Sequence, residues 1–512
     1  MFILCVIYCA ILIRKVWIKW DESPVMVSFA ESLTPAWQIP YPAITICFQI
    51  KAYPDRFNYT EFYHLYMNET TKANLTEEET QCFEDFSMIC DDSLDQNFGK
   101  QFTDGTNTVG NIKLFSANFG DFSSLCLWKN WVDCQELFSP VITEKGLCHT
   151  FNALGPDQLF RMEKAFNTLI YNRFILILSL SLHKDYEYMQ ERYSNSTQSW
   201  TLEAGYPPST PLETYPYRGS GNGGEDNLEI FTFTMASDLD YVCNFKQGIK
   251  IFLHSPAELP RVSRHYINLP QSHDVMIAVK PKMIITAEGL RPYSPIRRKC
   301  YFSNERYLQY FKIYTQTNCE IECLTNFTQT KCGCVHFGLP HGPGTKVCAA
   351  GSILCMSEAR RELMKLTIES GMNVQPSDND TTREARAVAA RCRCLPACTS
   401  IEYEAETSQA TVDEKAVSRA YKYPMTNEMA FLTSRVKIYL KESQFTTLRR
   451  SELFGQVDFL ANCGGLLGLL MGFSVLSVVE IIYFLTLRWW CLFRKRQHNL
   501  KEFNKKQQVD TE

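Results

Sequence analysis

QVDFLANCGGLLGLLMGFSVLSVVEIIYFLTL, residues 456–487, is the stretch that decides how this chain is read. From Phe459 to Leu487 it is apolar apart from Asn462, Cys463, Ser474, Ser477, Glu480 and Thr486. As a helix it is long enough to cross the roughly 30 Å of a bilayer's hydrocarbon. Trp489 and Trp490, followed by Arg494, Lys495 and Arg496, supply an interfacial aromatic belt and a basic anchor, which puts the C-terminal side in the cytosol. Gly464, Gly468 and Gly472 recur every four residues and share one helical face, where the missing side chains let a backbone or an ion approach. Read alone, that row is a tight helix contact. Glu480 is an ionisable group inside the apolar run, costly there unless it faces water or a partner. Asp458, at the outer end, is either part of a carboxylate ring that concentrates cations or a solvated acid.

Working outward, Met1 to Ile13 is also apolar and is followed by Arg14, Lys15, Trp17, Lys19 and Trp20. Thirteen residues do not span a bilayer. A cleaved signal peptide would carry its basic flank first and a small-residue cleavage site after, so a membrane segment that begins upstream of this chain is the preferred reading. The bulk of the chain is a different material. With 512 residues, 45% apolar and a mean hydropathy of −0.20, it is too polar for a many-helix membrane protein and long enough for one or two large domains in water. The net charge of −4 offers no basic face for nucleic acid.

The middle of the chain carries the marks of the secretory pathway. Six N-x-Ser/Thr sequons, at Asn58, Asn68, Asn74, Asn195, Asn326 and Asn379, lie between Asp21 and Glu452, with 17 of the 21 cysteines. Cysteines crowded at 319, 323, 332, 334, 348, 355, 392, 394 and 398 read as a disulfide framework in an oxidising compartment. The positive-inside rule applied to Arg14, Lys15 and Lys19 points the other way, and the glycan and cysteine signals outweigh it. A zinc reading of Cys332-Gly333-Cys334 and Cys392-Arg393-Cys394 falls on the C-x-C spacing, since common zinc sites use C-x2-C. No metal and no cofactor is expected.

Strand-like runs are read at Phe174–Leu182, Leu228–Thr234, Ile249–His254, Val275–Ala287, Ser400–Ala405 and Phe431–Leu440, with helices at Ser357–Glu369 and Thr382–Ala390, giving an α+β class. Gly205 to Gly224, rich in Pro and Gly, reads as a long exposed loop. His149, His254, His265 and His273 form no catalytic spacing with Cys, Ser or Asp, so they are read as solvated or structurally bonded and the chain as a non-enzyme.

Several motifs, in order, resemble degenerin and epithelial sodium channels: Tyr41-Pro42-Ala43-Ile44-Thr45-Ile46-Cys47, Cys148-His149-Thr150-Phe151-Asn152, the crowded cysteines, and Gly464-Gly465 through Gly472-Phe473-Ser474 to Glu480. Ser23-Pro24-Val25 and the run Leu290-Arg291-Pro292-Tyr293-Ser294-Pro295 before Arg298-Lys299-Cys300 are most similar to the insect pickpocket branch. The resemblance implies a homo- or heterotrimer in the plasma membrane that conducts sodium ions and is blocked by amiloride. Each subunit would have palm, finger and thumb domains above two transmembrane helices. On this chain it implies a first segment at 1–20, a cysteine-rich extracellular domain at 21–455, a pore-lining segment at 456–489 and a cytoplasmic tail at 490–512, with both termini in the cytosol.

The resemblance also implies roles. Gly472, Phe473 and Ser474 would form the selectivity filter, Gly464, Gly468 and Glu480 would line the pore, Gly468 would hold amiloride, and Ala461 would sit at the gating position. The glycine row then becomes pore-facing. Phe473 departs from the family's usual small middle residue, and Leu466 from its polar residue after the double glycine. The implied disulfides are Cys47 with Cys148, Cys126 with Cys134, Cys300 with Cys398, Cys319 with Cys394, Cys323 with Cys392, Cys332 with Cys355, and Cys334 with Cys348. Cys82 and Cys90 are close enough to close an extra loop, leaving Cys243 odd and free. Family members carry a cytoplasmic His-Gly arm before the first segment, so an upstream coding exon is expected. Two rival classes are a two-pass surface receptor, whose segments need no glycine row, and an ATP-gated channel, whose cysteines are fewer.

Overall fold

The computed structural model describes residues 2–22, 25–90, 105, 107–130, 132–161, 200–221, 223, 227–262, 265–372, 383–422, 431–453, 455–472 and 474–509. The chain divides into two compact units, one of which comprises Phe29–Ile285 and Lys299–Leu448. Its framework is a pair of sheets. In the first, His273–Thr286 lies between Ser400–Thr411, antiparallel from His273↔Thr411 to Ile284↔Ser400, and Phe431–Leu440, parallel from Asp274↔Arg435 to Val279↔Leu440. Asn227–Met235 and then Ser123–Trp128 continue it antiparallel. Period-two alternation turns Leu228, Ile230, Val275, Ile277, Val279, Val436, Ile438 and Leu440 to one buried face.

The second sheet runs Ile267–Leu269, Ile249–His254, Ala43–Phe48, Gly146–Phe151, Phe138–Thr143. Ala43–Phe48 is buried along its whole length, which is why it reads as a continuous apolar run rather than an alternating one. It joins the two motifs that flank it in the resemblance: Ile44, Thr45 and Ile46 pair with Phe151, Thr150 and His149, and Cys47 is bonded to Cys148. Asn152 ends that strand at φ 61°, a left-handed conformation that Asn tolerates better than most residues. Its amide donates to Tyr41 O at 2.7 Å and its carbonyl oxygen accepts from Tyr217 N at 2.6 Å. Tyr41 in turn donates to Ile438 O at 2.8 Å. These polar residues are therefore fasteners between the sheets.

Eight disulfides hold this unit. Seven are the pairs given above by resemblance. The eighth corrects the reading of the remaining three cysteines: Cys90 is bonded to Cys243, with Cα atoms 4.8 Å apart, and Cys82 is the free, buried thiol. Short sequence distance misled, because Cys82 sits inside the helix Glu77–Ser87 and its five helical residues to Ser87 advance the chain about 7.5 Å before Cys90 is reached. Around Cys319, Cys323 and Cys394 the sulfurs lie within 4.8 Å of one another, a spacing a metal could use. All three are spent in disulfides, two of which touch at Cys323 Sγ to Cys394 Sγ, 3.8 Å. In Cys332-Gly333-Cys334 the glycine takes φ 71° and caps the helix Gln316–Cys332, donating to Gln329 O, so the C-x-C spacing turns the two thiols toward different partners.

Several expected elements differ in extent. Ile249–His254 and Phe431–Leu440 match their strands. Ser400–Ala405 runs on to Thr411, and the helices are Ile353–Gly371 and Arg383–Arg391. The strand expected at Phe174–Leu182 and the sequons Asn195 and Asn379 lie outside the described residues. The 205–224 stretch is not simply an exposed loop: Tyr215, Arg218 and Gly219 are buried, and Arg218 stacks on Tyr206 at 4.4 Å and donates to Thr210 O at 3.0 Å. Proline and glycine fix a turn's backbone but say nothing of what covers it. Among the described sequons, Asn58 and Asn68 cap helices through Oδ1, Asn74 is exposed, and Asn326 is half-buried within a helix.

The helix Glu77–Ser87 buries two acids that the sequence did not flag. Asp85 is satisfied by Thr108 at 2.6 Å and Asn111 at 2.8 Å. Glu84 accepts from the Tyr66 hydroxyl at 3.1 Å, while its other carboxylate oxygen has no partner. Burial pushes Glu84 up to about 7. The folded state then holds a proton that the unfolded chain releases near its ordinary value, so this group's contribution to stability falls as pH rises from about 4.5 to about 7. Glu84→Gln is expected to flatten that part of the pH dependence, read as the difference in unfolding midpoint between about pH 5 and about pH 8. An unchanged difference would place the charge in solvent.

Candidate pore segment

The other unit comprises Met1–Ser28, Thr286–Arg298 and Arg449–Glu512. It contains helix α1 (Phe2–Glu22), a strand pair of Val25–Phe29 with Leu448–Glu452, helix α2 (Gln456–Met471), helix α3 (Val475–Ile482), a π-helical turn at Tyr483–Leu487 and helix α4 (Arg488–Val509). Among the described residues one helical stretch, Leu476–Asn499, is long and apolar enough to cross a membrane, and Val457–Met471 is a shorter apolar helix. In α1, Arg14, Lys15 and Lys19 cut the apolar run short.

α1 packs on α2 through aromatic rings. Phe459 lies 5.6 Å from Trp17 and 5.5 Å from Trp20, which are 5.2 Å from each other. Arg297 closes the end of this cluster, over the Trp20 ring at 4.6 Å and the Tyr293 ring at 4.9 Å. It also donates to Trp20 O at 3.0 Å and pairs with Asp21 at 3.3 Å. A planar guanidinium can stack and hydrogen-bond at once, which an ammonium cannot. Next to it Arg298 is fully buried and donates to Arg291 O at 3.2 Å and to Tyr293 O. The Arg-Arg step was quoted in the sequence only as part of a motif. An i, i+3 tryptophan pair at the end of an apolar helix was the available signal for this cluster.

The second apolar segment is not one helix. α2 ends at Met471, and Gly472 takes φ 65°, ψ 19°, donating back to Gly468 O and Leu467 O. A left-handed residue at this position costs a side-chain-bearing residue about 1–2 kcal/mol and glycine almost nothing. Ser474 then restarts the helix, its hydroxyl accepting from Ser477 N at 3.4 Å. Phe473, between them, lies outside the described residues. Helix geometry leaves the last carbonyls of α2 without helical donors, and they carry the partial negative charge of a helix C-terminus.

The other sequence-singled residues fall on either side. Ala461, Gly464, Gly472, Ser474 and Glu480 are exposed in the single chain, and Gly468 is half-buried. A side chain placed on Gly464 or Gly465 would meet nothing within 4 Å, so among the described residues these glycines make no tight helix contact. Asp458 is exposed, and its carboxylate accepts from Gly455 N at 3.0 Å, which holds the start of α2. Just before it, Glu452 is pushed up by burial and by the charge of Asp458. Of the four histidines singled out, His265 is exposed and His273 bonds Gln271 O at 2.7 Å. His149 is buried among Phe48 and Phe119 and burial lowers it to about 4, and His254 bonds Thr45 at 2.9 Å.

A chain with this disulfide-rich mixed α/β unit and a segment interrupted at Gly472–Ser474 belongs to the amiloride-sensitive sodium channel family, whose profile matches residues 1–484. The family consists of ion channels, not enzymes. Pickpocket protein 28 of Drosophila melanogaster is 28% identical over 512 aligned residues, covering 96% of this chain and 74% of that protein. Sodium channel protein Nach of Drosophila ananassae is 20% identical over 93% of this chain and 78% of its own length. Acid-sensing ion channel 1C of Danio rerio is 22% identical over 66% of this chain and 59% of its own length. Membership disposes of the receptor and of the ATP-gated channel of another family.

Proposed function

We propose that this chain is one subunit of a trimeric, amiloride-sensitive sodium channel of the plasma membrane. Segments at 1–20 and 456–489 cross the bilayer, residues 21–455 lie outside the cell, and both termini, with the 490–512 tail, are cytosolic. The observation that carries the reading is the interruption of the second segment at Gly472–Ser474. Irregular backbone at membrane depth is tolerated where it lines a water-filled path, and backbone carbonyls there replace an ion's lost water. In this reading Gly472, Phe473 and Ser474 from three subunits form the filter, Gly464 and Gly468 line the path above it and Glu480 the path below. Asn58 and Asn68, which cap through Oδ1 and leave Nδ2 for a sugar, are glycan sites with Asn74, Asn195, Asn326 and Asn379.

The test is voltage clamp of cells expressing the chain alone and with related subunits. Replacing external sodium with a large organic cation is expected to abolish inward current. Amiloride is expected to block it, and Gly468→Trp channels that still conduct are expected to lose the block. Inward current that survives the replacement would overturn the cation filter, and unchanged block in Gly468→Trp would move the drug site.

A further inference from the structure

The turn at Tyr483–Leu487 has no proline or glycine to explain it. Arg488 N–H donates to Tyr483 O, five residues back instead of four, so the helix holds one residue more than an α-helix of the same length would. Such wide turns occur mostly as single inserts in α-helices, often at functional sites. Two side chains suit this one. The Thr486 hydroxyl donates to Ile482 O, supplying a donor to a carbonyl beside the widened turn where no water can reach it in hydrocarbon. The Arg488 guanidinium lies over the Phe484 ring at 4.9 Å, tying the first residue after the turn back across it.

We propose that Tyr483–Leu487 is a register switch in the second membrane segment, latched in its wide form by the Thr486 hydroxyl. Conversion to α-helix would turn everything that follows by one residue's rotation, about 100° about the helix axis. That would move Trp489, Trp490, Cys491 and the basic cluster Arg494-Lys495-Arg496 to a new face. The segment above, including Gly472–Ser474, would stay where it is. The proposal rests on the reading of this segment as membrane-embedded and pore-lining.

Cys491 is exposed and free, four residues beyond the turn, and reports the rotation. Its modification by a charged methanethiosulfonate, applied to the cytosolic face of membranes from expressing cells, is measured with Cys491→Ser membranes as background. Thr486→Val, which removes one hydrogen bond, is expected to change the Cys491 rate by roughly two- to tenfold, and Thr486→Ser to restore it. Deleting Thr486 removes the extra residue itself, so surface protein and the wild-type Cys491 rate are expected to be kept. Deleting Val479, in the unbroken helix, is expected to lose both. Equal behaviour of the two deletions, or a Cys491 rate unmoved by Thr486→Val, would overturn the switch. These readouts need no current, so a chain that fails to conduct still tests it; absence of any cytosolic reactivity at Cys491 would instead count against the membrane reading.

Discussion

Ala461→Val is expected to raise the sodium leak per surface channel by about tenfold, the change that a shift of about 1.4 kcal/mol between closed and open states produces. Ala461 lies one residue before Asn462, whose side chain bonds Asp458 O at 2.8 Å, in the outer turns of α2. The competing expectation is overpacking, which costs about 1–3 kcal/mol where a core is already full. Inside one chain there is nothing to overpack, because Ala461 is exposed. In the proposed trimer, its packing partner is another subunit. If closure brings three copies together, added methyl groups act against the closed state first. Current divided by biotinylated surface protein, in matched cells, is the measurement. An unchanged ratio with fewer channels at the surface would make Ala461 a simple assembly contact.

Cys90→Ser is expected to remove the protein from the cell surface, while Cys82→Ala leaves surface abundance within about twofold of wild type. The Cys90–Cys243 bond closes a loop of 153 residues, worth about 5 kcal/mol in the loop-closure account, a large part of a domain's whole stability. Cys82 closes nothing. Burial, with the Asp85 charge beside it, pushes its thiol up to about 12, so it stays protonated and unreactive once folded. Surface biotinylation with non-reducing peptide mapping separates the cases. A Cys82–Cys90 peptide, or equal loss in both variants, would restore the pairing suggested by sequence distance.

What the sequence disclosed followed from how local each signal was. Phe431–Leu440 and Ile249–His254 were legible because alternation or a short β-branched run is written within six to ten residues. Ala43–Phe48 was seen as a motif and not as a strand, since a strand buried on both faces has no period. The helix Glu77–Ser87 was missed although Thr76 and Glu79 form a capping box at its start, a signal readable in advance. The glycine row was visible, but only coordinates show that Gly464 has open space before it. The Arg297 cluster draws on residues near 20, 293 and 459, and no local pattern foretells such a meeting. Nor does any residue type announce the π turn, since its threonine, arginine and aromatics are ordinary in a helix.

The cysteine connectivity fixes an order of manufacture. From Cys300 onward the bonds are nested: 334–348 lies within 332–355, then 323–392, 319–394 and 300–398. On the proposed extracellular reading, a chain entering the oxidising lumen from its N-terminal side can close this series from the inside out, with no bond needing to be broken again. The N-terminal half is wired otherwise, because 47–148 and 90–243 interleave. Cys90 emerges long before Cys243, with Cys82 beside it in sequence and still unfolded, so the eight-residue partner is available first. Its native partner arrives only after another 153 residues. Interleaved bonds admit no inside-out order, so a Cys82–Cys90 bond formed early would have to be exchanged before Cys90 could reach Cys243.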